Sequence, residues 1–155
     1  MKILLKAILV IFVYTGLAMS CDKDDDNNQQ QESTVAQTIN TAQSGTWKIT
    51  YFFDSDHDET GHFSGYTFTF NENGSLVAVN GSTTITGTWS VTDSNSSDDD
   101  GGSSDVDFNI FFASPPDFED LSDDWDLFSV SNSKIELTDV SGGNGGTDFL
   151  TFQKI

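Results

Sequence analysis

The sequence predicts an all-β domain, an eight-stranded antiparallel up-and-down barrel, because its apolar residues recur with a period of two in short runs. Asn-Gly and Gly-rich turn signals separate the runs, and no long helical pattern comes between them. A period of two gives each run one face to bury, and short connections without helices favour antiparallel neighbours in a meander. Closing such a sheet removes its exposed edges; a β-sandwich or a half-open barrel would bury the same faces.

The first run is 46–53, where Trp47, Ile49, Tyr51 and Phe53 alternate with Lys48, Thr50 and Phe52. The second, 63–71, sets Tyr66, Phe68 and Phe70 against Thr67, Thr69 and Asn71. Asn73-Gly74 supplies a turn that tolerates positive φ, the third run follows at 75–80, and Asn80-Gly81 repeats the device before the fourth at 83–92. There Ile85, Gly87, Trp89 and Val91 alternate with threonines and Ser90. Asp93 to Asp105 contains no apolar side chain and reads as a solvated loop. Val106, Phe108, Ile110 and Phe112 form the inner face of the fifth run, 106–112, which Pro115-Pro116 ends because proline lacks the ladder donor. Phe118 and Leu121, three apart, suggest one helical turn. The runs 125–130, 134–140 and 147–154 complete the set, with Ser141 to Gly146 linking the last two. Phe52, Phe111 and Phe149 fall on nominally polar faces, where they pack under the 115–124 segment or belong to a binding patch.

Residues 45–155 are enough for a single hydrophobic core and too few for two. Cys21 is the only cysteine, so this domain is held by its core and not by an internal disulfide. From Gly45 onward the chain has twenty acidic residues against three lysines and no arginine, a net charge near −17. That balance argues against nucleic acid, whose phosphates need Lys and Arg, and against attraction of anionic substrates. Divalent cations and cationic surfaces are the compatible partners.

Ahead of the barrel, residues 1–20 place Lys2 and Lys6 before the apolar stretch Ala7 to Val13, the pattern of a secretory signal and too short for a membrane span. Leu17-Ala18-Met19-Ser20 then precede Cys21. This resembles the bacterial lipobox, although the usual leucine three positions before the cysteine is replaced by Ala18, with Leu17 one step further back. The resemblance implies cleavage before Cys21 and acylation of its thiol with palmitate-type chains, which anchor the protein to outer-membrane lipid. Residues 21–44 read as an acidic, Gln- and Asn-rich tether with a helical turn at 35–44, where Val35, Ala36 and Ile39 share a helical spacing. Within it Lys23, Asp24, Asp25 and Asp26 resemble the surface-export signal of Bacteroidetes lipoproteins. That likeness implies handling by the lipoprotein processing and export machinery and display on the cell surface; a periplasm-facing orientation is the other reading.

Gly45-Thr46-Trp47 opens the first strand, Gly87-Thr88-Trp89 repeats the triplet in the fourth, and Phe149 to Lys154 closes the chain. Together they resemble the lipocalin-like lipoproteins of Bacteroidetes over residues 45–155. The resemblance implies a tryptophan, Trp47, packed across one barrel end, and an interior or surface that takes a small apolar ligand or an envelope protein. Classical lipocalins pack an arginine near the last strand against that tryptophan; here only Lys134 or Lys154 is available.

Asp54, Asp56, Asp58 and Glu59 bring oxygen ligands into one loop, as the first half of a Ca²⁺ loop does. Glu59 occupies the place of the usual glycine and no glutamate stands at the twelfth position, so a solvated acidic hairpin is the competing reading. Asp98 to Asp100, Asp105 and Asp107 would join the site only if the fold brought them to the same barrel end. His57 and His62 are two ligands where structural zinc needs four, and ordinary exposed polarity competes with that role. No G-x-S-x-G elbow is present. A carboxylate-dependent hydrolase would need two acids at a controlled separation in a cleft. The sequence therefore points to a non-catalytic binding protein, with a structural or interaction domain acting through acidic loops as the rival.

Overall fold

The computed structural model describes residues 25–93, 106–140 and 146–155, with side chains from Thr34 onward. Cys21, the loop from Ser94 to Asp105 and the link from Ser141 to Gly145 lie outside the described residues. Along the chain come α1 (Asp25–Gln43), β1 (Trp47–Asp54), β2 (His57–Asp58), a 3-10 turn (Thr60–Phe63), β3 (Thr67–Phe70), β4 (Ser75–Asn80) and β5 (Thr83–Asp93). β6 (Val106–Phe111), α2 (Pro116–Glu119), β7 (Asp123–Ser131), β8 (Lys134–Val140) and β9 (Thr147–Lys154) follow. Every pairing between strands is antiparallel and between neighbours in the order β1-β3-β4-β5-β6-β7-β8-β9, and β9 returns to β1. The eight long strands thus close as an up-and-down barrel of lipocalin-like topology, as the sequence predicts, while β2 is a two-residue arm outside it.

Closure is uneven. β1 meets β9 over six residue pairs, from Trp47↔Lys154 to Phe53↔Phe149, but meets β3 only at Trp47↔Phe68. The 3-10 turn fills the gap this leaves: the Phe52 N–H donates to Thr60 Oγ1 at 2.8 Å, the Glu59 N–H donates to the Phe52 carbonyl at 2.9 Å, and Phe63 inserts its ring into the core. The expected second strand, 63–71, therefore starts four residues late, because Phe63 to Tyr66 serve this filling rather than a ladder.

A β-bulge in β1 changes which residues face inward. The register shifts between Ile49 and Tyr51, so Trp47, Ile49 and Phe52 point into the barrel while Tyr51 and Phe53 point out. The period-two reading had placed Tyr51 and Phe53 inside and Phe52 outside; one unpaired residue at Thr50 reverses all three, since a slip of one exchanges the faces of a strand. A second shift, between Leu127 and Ser129, leaves Phe128 outside, where alternation from Trp125 and Leu127 already places it, and returns Val130 toward the core.

The interior is filled by aromatic rings. Trp89 meets Phe70 edge-on at 5.1 Å, Phe70 meets Phe152 at 5.3 Å, and Phe152 meets Phe68 at 5.5 Å. From Phe68 the contacts continue through Phe118 at 6.1 Å, Phe63 at 5.3 Å and Phe52 at 5.6 Å to Trp125 at 6.3 Å. None of these eight residues is more than 7% exposed. An eight-stranded barrel is just wide enough for its inward side chains to fill, and edge-to-face pairs each add about 0.5–1.5 kcal/mol beyond their burial.

Both ends are covered. At the end where β1 starts, α1 is longer than the expected turn at 35–44, and its C-terminal half packs on the barrel through Val35, Thr38, Ile39, Thr41 and Ala42, whereas Ala36 faces water. Thr38 tolerates complete burial because its hydroxyl donates to the Thr34 carbonyl at 2.8 Å. At the opposite end α2 drives Phe118 inward against Phe112 at 5.1 Å, and Leu121 is buried beside it, as their spacing predicts.

Gly87 marks the tightest approach. A Cβ there would lie 2.3 Å from the Phe111 carbonyl oxygen and 2.6 Å from the Phe112 ring. Gly87→Ala should therefore cost about 1–3 kcal/mol by overpacking and lower the thermal midpoint by several degrees in a circular-dichroism melt. Gly61→Ala, which would meet nothing within 4 Å, should leave the melt unchanged.

Candidate functional site: the acidic rim and the outer aromatic patch

The two triplets that opened the family resemblance occupy structural positions. Trp47 is fully buried, and its indole Nε1–H donates to the Ala42 carbonyl at 2.8 Å, tying α1 to the first strand. The Lys154 ammonium stands 5.7 Å over the Trp47 ring and donates to Ser44 Oγ at 2.7 Å. Lysine thus takes the place beside the tryptophan that classical lipocalins give to arginine, as a point charge without the planar stacking surface. Gly45 lies under the same lysine, and Gly87 with Trp89 sits in β5, where the Trp89 Nε1–H donates to the Asn71 carbonyl at 3.0 Å. Of the residues expected to direct export, Asp25 and Asp26 fall in the first turn of α1, while Lys23 and Asp24 lie outside the described residues.

The acidic loop is a tight hairpin. β1 and β2 pair at Phe53↔Asp58 and Asp54↔His57, and Ser55 and Asp56 at the tip take φ values of 53° and 114°. This geometry disperses the carboxylates that were candidate calcium ligands. Asp54 Oδ1 accepts the Ser55 hydroxyl at 2.8 Å, Asp56 pairs with His57, Asp58 Oδ1 accepts the Thr60 N–H at 3.0 Å, and Glu59 Oε2 lies 3.4 Å from His62 Nδ1. The Thr60 hydroxyl and N–H hold Asp58 below the ordinary carboxylate range. His57 and His62 do not share a partner: His62 faces Glu59 and, at 3.9 Å, Asp117 of α2. Among the described residues no three His, Cys, Asp or Glu side chains converge as metal ligands.

The rim opposite α1 is nonetheless strongly acidic. Asp139 and Asp148 are direct partners on β8 and β9, and Asp148 Oδ1 accepts the Ser55 N–H at 2.9 Å, which draws the β1 hairpin with Asp54 alongside. Asp123, at the start of β7, is half-buried at this end. Burial, then the hydrogen bond to the Asp124 side chain and the charges of Asp139 and Asp124, push its pKa up to about 6 against the opposing pull of the Asp124 N–H. Chemically this is a carboxyl that holds a proton in mildly acidic water. The open hollows on the outside of the barrel are lined by other residues, among them Phe111 with Glu119, Ala36 with Asn132, and Ile39 with Glu72.

Beside that rim lies the feature that sequence reasoning missed. The bulge in β1 presents Tyr51 and Phe53 on the outer surface, where Tyr51 stacks near-parallel to Phe53 at 6.3 Å and meets Phe149 of β9 at 6.4 Å. Phe149 was legible as an outward aromatic; its two partners were not, because nothing in a strand's period marks where an extra residue enters. Phe111 is exposed as expected, but on the other side of the barrel, against Thr88 of β5.

No protein-family model matches the chain, and no curated protein matches it. The fold and the two surfaces at the end remote from α1 are therefore what the functional reading rests on.

Asp123 provides a pH test of the rim. A carboxyl whose folded pKa lies above its unfolded value near 3.8 favours the folded chain while protonated, and that contribution is lost as pH rises toward about 6. Asp123→Asn keeps a side-chain oxygen for the Asp124 N–H while removing the charge. It should raise the melting temperature at pH 7 to 8 and leave it unchanged near pH 4; a gain of the same size at both would refute the titration.

Proposed function

We propose that this chain is a lipid-anchored, non-catalytic cell-envelope protein that works by docking a partner protein on the outside of its barrel. The observation that carries the reading is the filled interior. Ring contacts run through the barrel, α1 and α2 cover its ends, and the exposed aromatic rings are on the outside, clustered on β1 and β9 and single at Phe111 and Phe128. A small apolar ligand inside would have to displace several of these side chains, whereas a protein partner needs only the surface already presented.

The anchor in this proposal is acylated Cys21 in outer-membrane lipid. With α1 starting at Asp25, only Asp22 to Asp24 separate that cysteine from a 19-residue helix about 28 Å long, whose far end is packed on the barrel. Such a connection sets the barrel's position more firmly than a flexible tether would. The acidic rim and aromatic patch lie at the barrel end away from the one α1 covers. Lys23 to Asp26 favour surface display through the export machinery, with the periplasm-facing orientation as the alternative.

Intact mass measurement of the protein from membranes should give a mature chain starting at Cys21 and carrying acyl chains, and Cys21→Ser should release it into the soluble fraction. An apolar fluorescent dye or fatty acid titrated into the same protein should show no saturable uptake with energy transfer from Trp47, Trp89 or Trp125. Saturable, competed uptake would place the function in the barrel interior and overturn the partner-docking reading.

A further inference from the structure

The two Asn-Gly turns of the barrel share a sequence but not a structure. Both read Asn-Gly-Ser, at Asn73-Gly74-Ser75 between β3 and β4 and at Asn80-Gly81-Ser82 between β4 and β5. We infer that Asn80 is a site of spontaneous covalent modification, where the side-chain amide is lost through a cyclic imide formed with Gly81, and that the fold protects the same tripeptide at Asn73. The reaction needs only water. The glycine backbone nitrogen gives up its proton and attacks the asparagine Cγ; a C–N bond forms, the Cγ–Nδ2 bond breaks, and the amide nitrogen leaves with that proton as ammonia. Water then opens the ring at one carbonyl or the other, giving aspartate, or isoaspartate with the main chain running through Cβ. Nothing is oxidised or reduced. Glycine after the asparagine favours the attack because it carries no side chain to obstruct it.

At Asn73 the attacking groups are tied down. The Gly74 N–H donates to the Asn71 carbonyl at 3.0 Å, and Asn73 Oδ1 accepts the Ser75 N–H at 3.1 Å and the Ser75 hydroxyl at 2.7 Å. The turn is also fastened to the core, since the Gly74 carbonyl accepts the Trp89 N–H at 2.9 Å and the Asn71 carbonyl accepts its indole N–H at 3.0 Å. At Asn80 these restraints are missing. Among the described residues the Gly81 N–H has no hydrogen-bond partner, and a Cβ on Gly81 would meet nothing within 4 Å. The tip from Asn80 to Thr84 is exposed throughout, and Asn80↔Thr83 is the last pair of its ladder. Fraying of a ladder end is among the least costly openings of a folded chain, so the geometry for attack is reached there first.

The modification acts on the gap between β1 and β3. Asn80 Nδ2 donates to the Ser64 carbonyl at 3.2 Å and packs so closely on Gly65 that a Cβ there would lie 3.0 Å from it. These two residues follow the 3-10 turn whose Phe63 fills the gap. Conversion replaces the donor with a carboxylate oxygen facing a carbonyl oxygen, two acceptors that repel, and the isoaspartyl form also lengthens β4 at its end. Loss of the amide therefore loosens the filling segment and adds negative charge beside it.

The test incubates the full acylated chain, in neutral detergent micelles at mildly alkaline pH, in water enriched in heavy oxygen, and follows each site by peptide-mapping mass spectrometry. The same chain in guanidinium chloride is the reference, and mapping separates both sites from Asn144-Gly145, which lies outside the described residues. In the folded chain Asn80 should convert about tenfold faster than Asn73, the retardation expected from the hydrogen bonds that must open at Asn73. In denaturant the two should convert at matching rates, because their tripeptides are identical. Ser75→Ala should speed conversion at Asn73 several-fold and leave Asn80 unchanged. Equal rates in the folded chain, faster conversion at Asn73, or a difference that persists in denaturant would overturn the proposal. Asn80→Asp, which stands in for one product, should increase amide hydrogen exchange over residues 60–66 several-fold with the far-ultraviolet circular dichroism unchanged. Unaltered exchange there would refute the coupling to the gap.

Discussion

Edge-to-face packing of aromatic rings along the barrel axis is the interaction on which the rest of the structure depends. A barrel of eight strands has an interior that must be filled from its own side chains, and this chain has no cysteine in the barrel to staple what the core leaves loose. Phe70 and Phe118 are the junctions. Phe70 touches Trp89, Phe108 and Phe152, all at between 5.1 and 5.5 Å, and Phe118 joins Phe63, Tyr66, Phe68 and Phe112 at between 5.1 and 6.1 Å. Because Phe118 comes from α2 and not from a strand, the core is complete only when the segment after Pro115-Pro116 folds over the end.

Large rings in a closed interior bring polar atoms that need partners, and the way these are met explains the caps. Each of the three indole N–H groups donates to a backbone carbonyl of a connecting segment: Trp47 to Ala42 in α1, Trp89 to Asn71 between β3 and β4, and Trp125 to Leu121 after α2. A buried donor left unpaired would cost about 1–3 kcal/mol, so each tryptophan fixes the place of the segment that satisfies it. The core and its covers are thus one construction. Phe112, with its backbone N–H held by Ser122 Oγ at 2.9 Å, shows the same coupling from the strand side.

What was legible in the sequence follows from which forces are local. Strand periodicity, Asn73-Gly74 and Asn80-Gly81 as turns, and Phe118 with Leu121 as a helical turn are decided within a few residues, and Gly74 and Gly81 do take φ of 79° and 58°. The bulge at Thr50 is decided across strands, by the need to bring Phe52 under the 3-10 turn while β1 still pairs with β9; its cost is two aromatics outside, which no reading of β1 alone could anticipate. The length of α1 beyond the expected turn at 35–44 was hidden for a related reason. Its buried face contains Thr38 and Thr41 where an amphipathic pattern would show leucines, and its helicity is supported by docking on the barrel end rather than by a periodic apolar stripe. The acidic loop was visible as composition, but composition could not say that the hairpin tip would point Asp54, Asp56 and Asp58 at separate partners.

The distribution of charge then acquires a structural meaning. With the barrel core among the described residues made of rings and aliphatics, the described strand lysines and the rim aspartates stand on the wall's outer face or at the two ends, and the antiparallel register decides which. Strand ends alternate, so Lys48, Lys134 and Lys154 arrive together at the α1 end although they lie far apart in sequence, while Asp54, Asp123, Asp139 and Asp148 gather at the other. Crowding of like charges there is already felt within the molecule, since the charges of Asp124 and Asp139 help to raise the Asp123 pKa. A rim that repels its own carboxylates is relieved when one of them takes up a proton, so the electrostatic strain that costs the barrel stability at neutral pH is eased in mildly acidic water, where Asp123 becomes neutral.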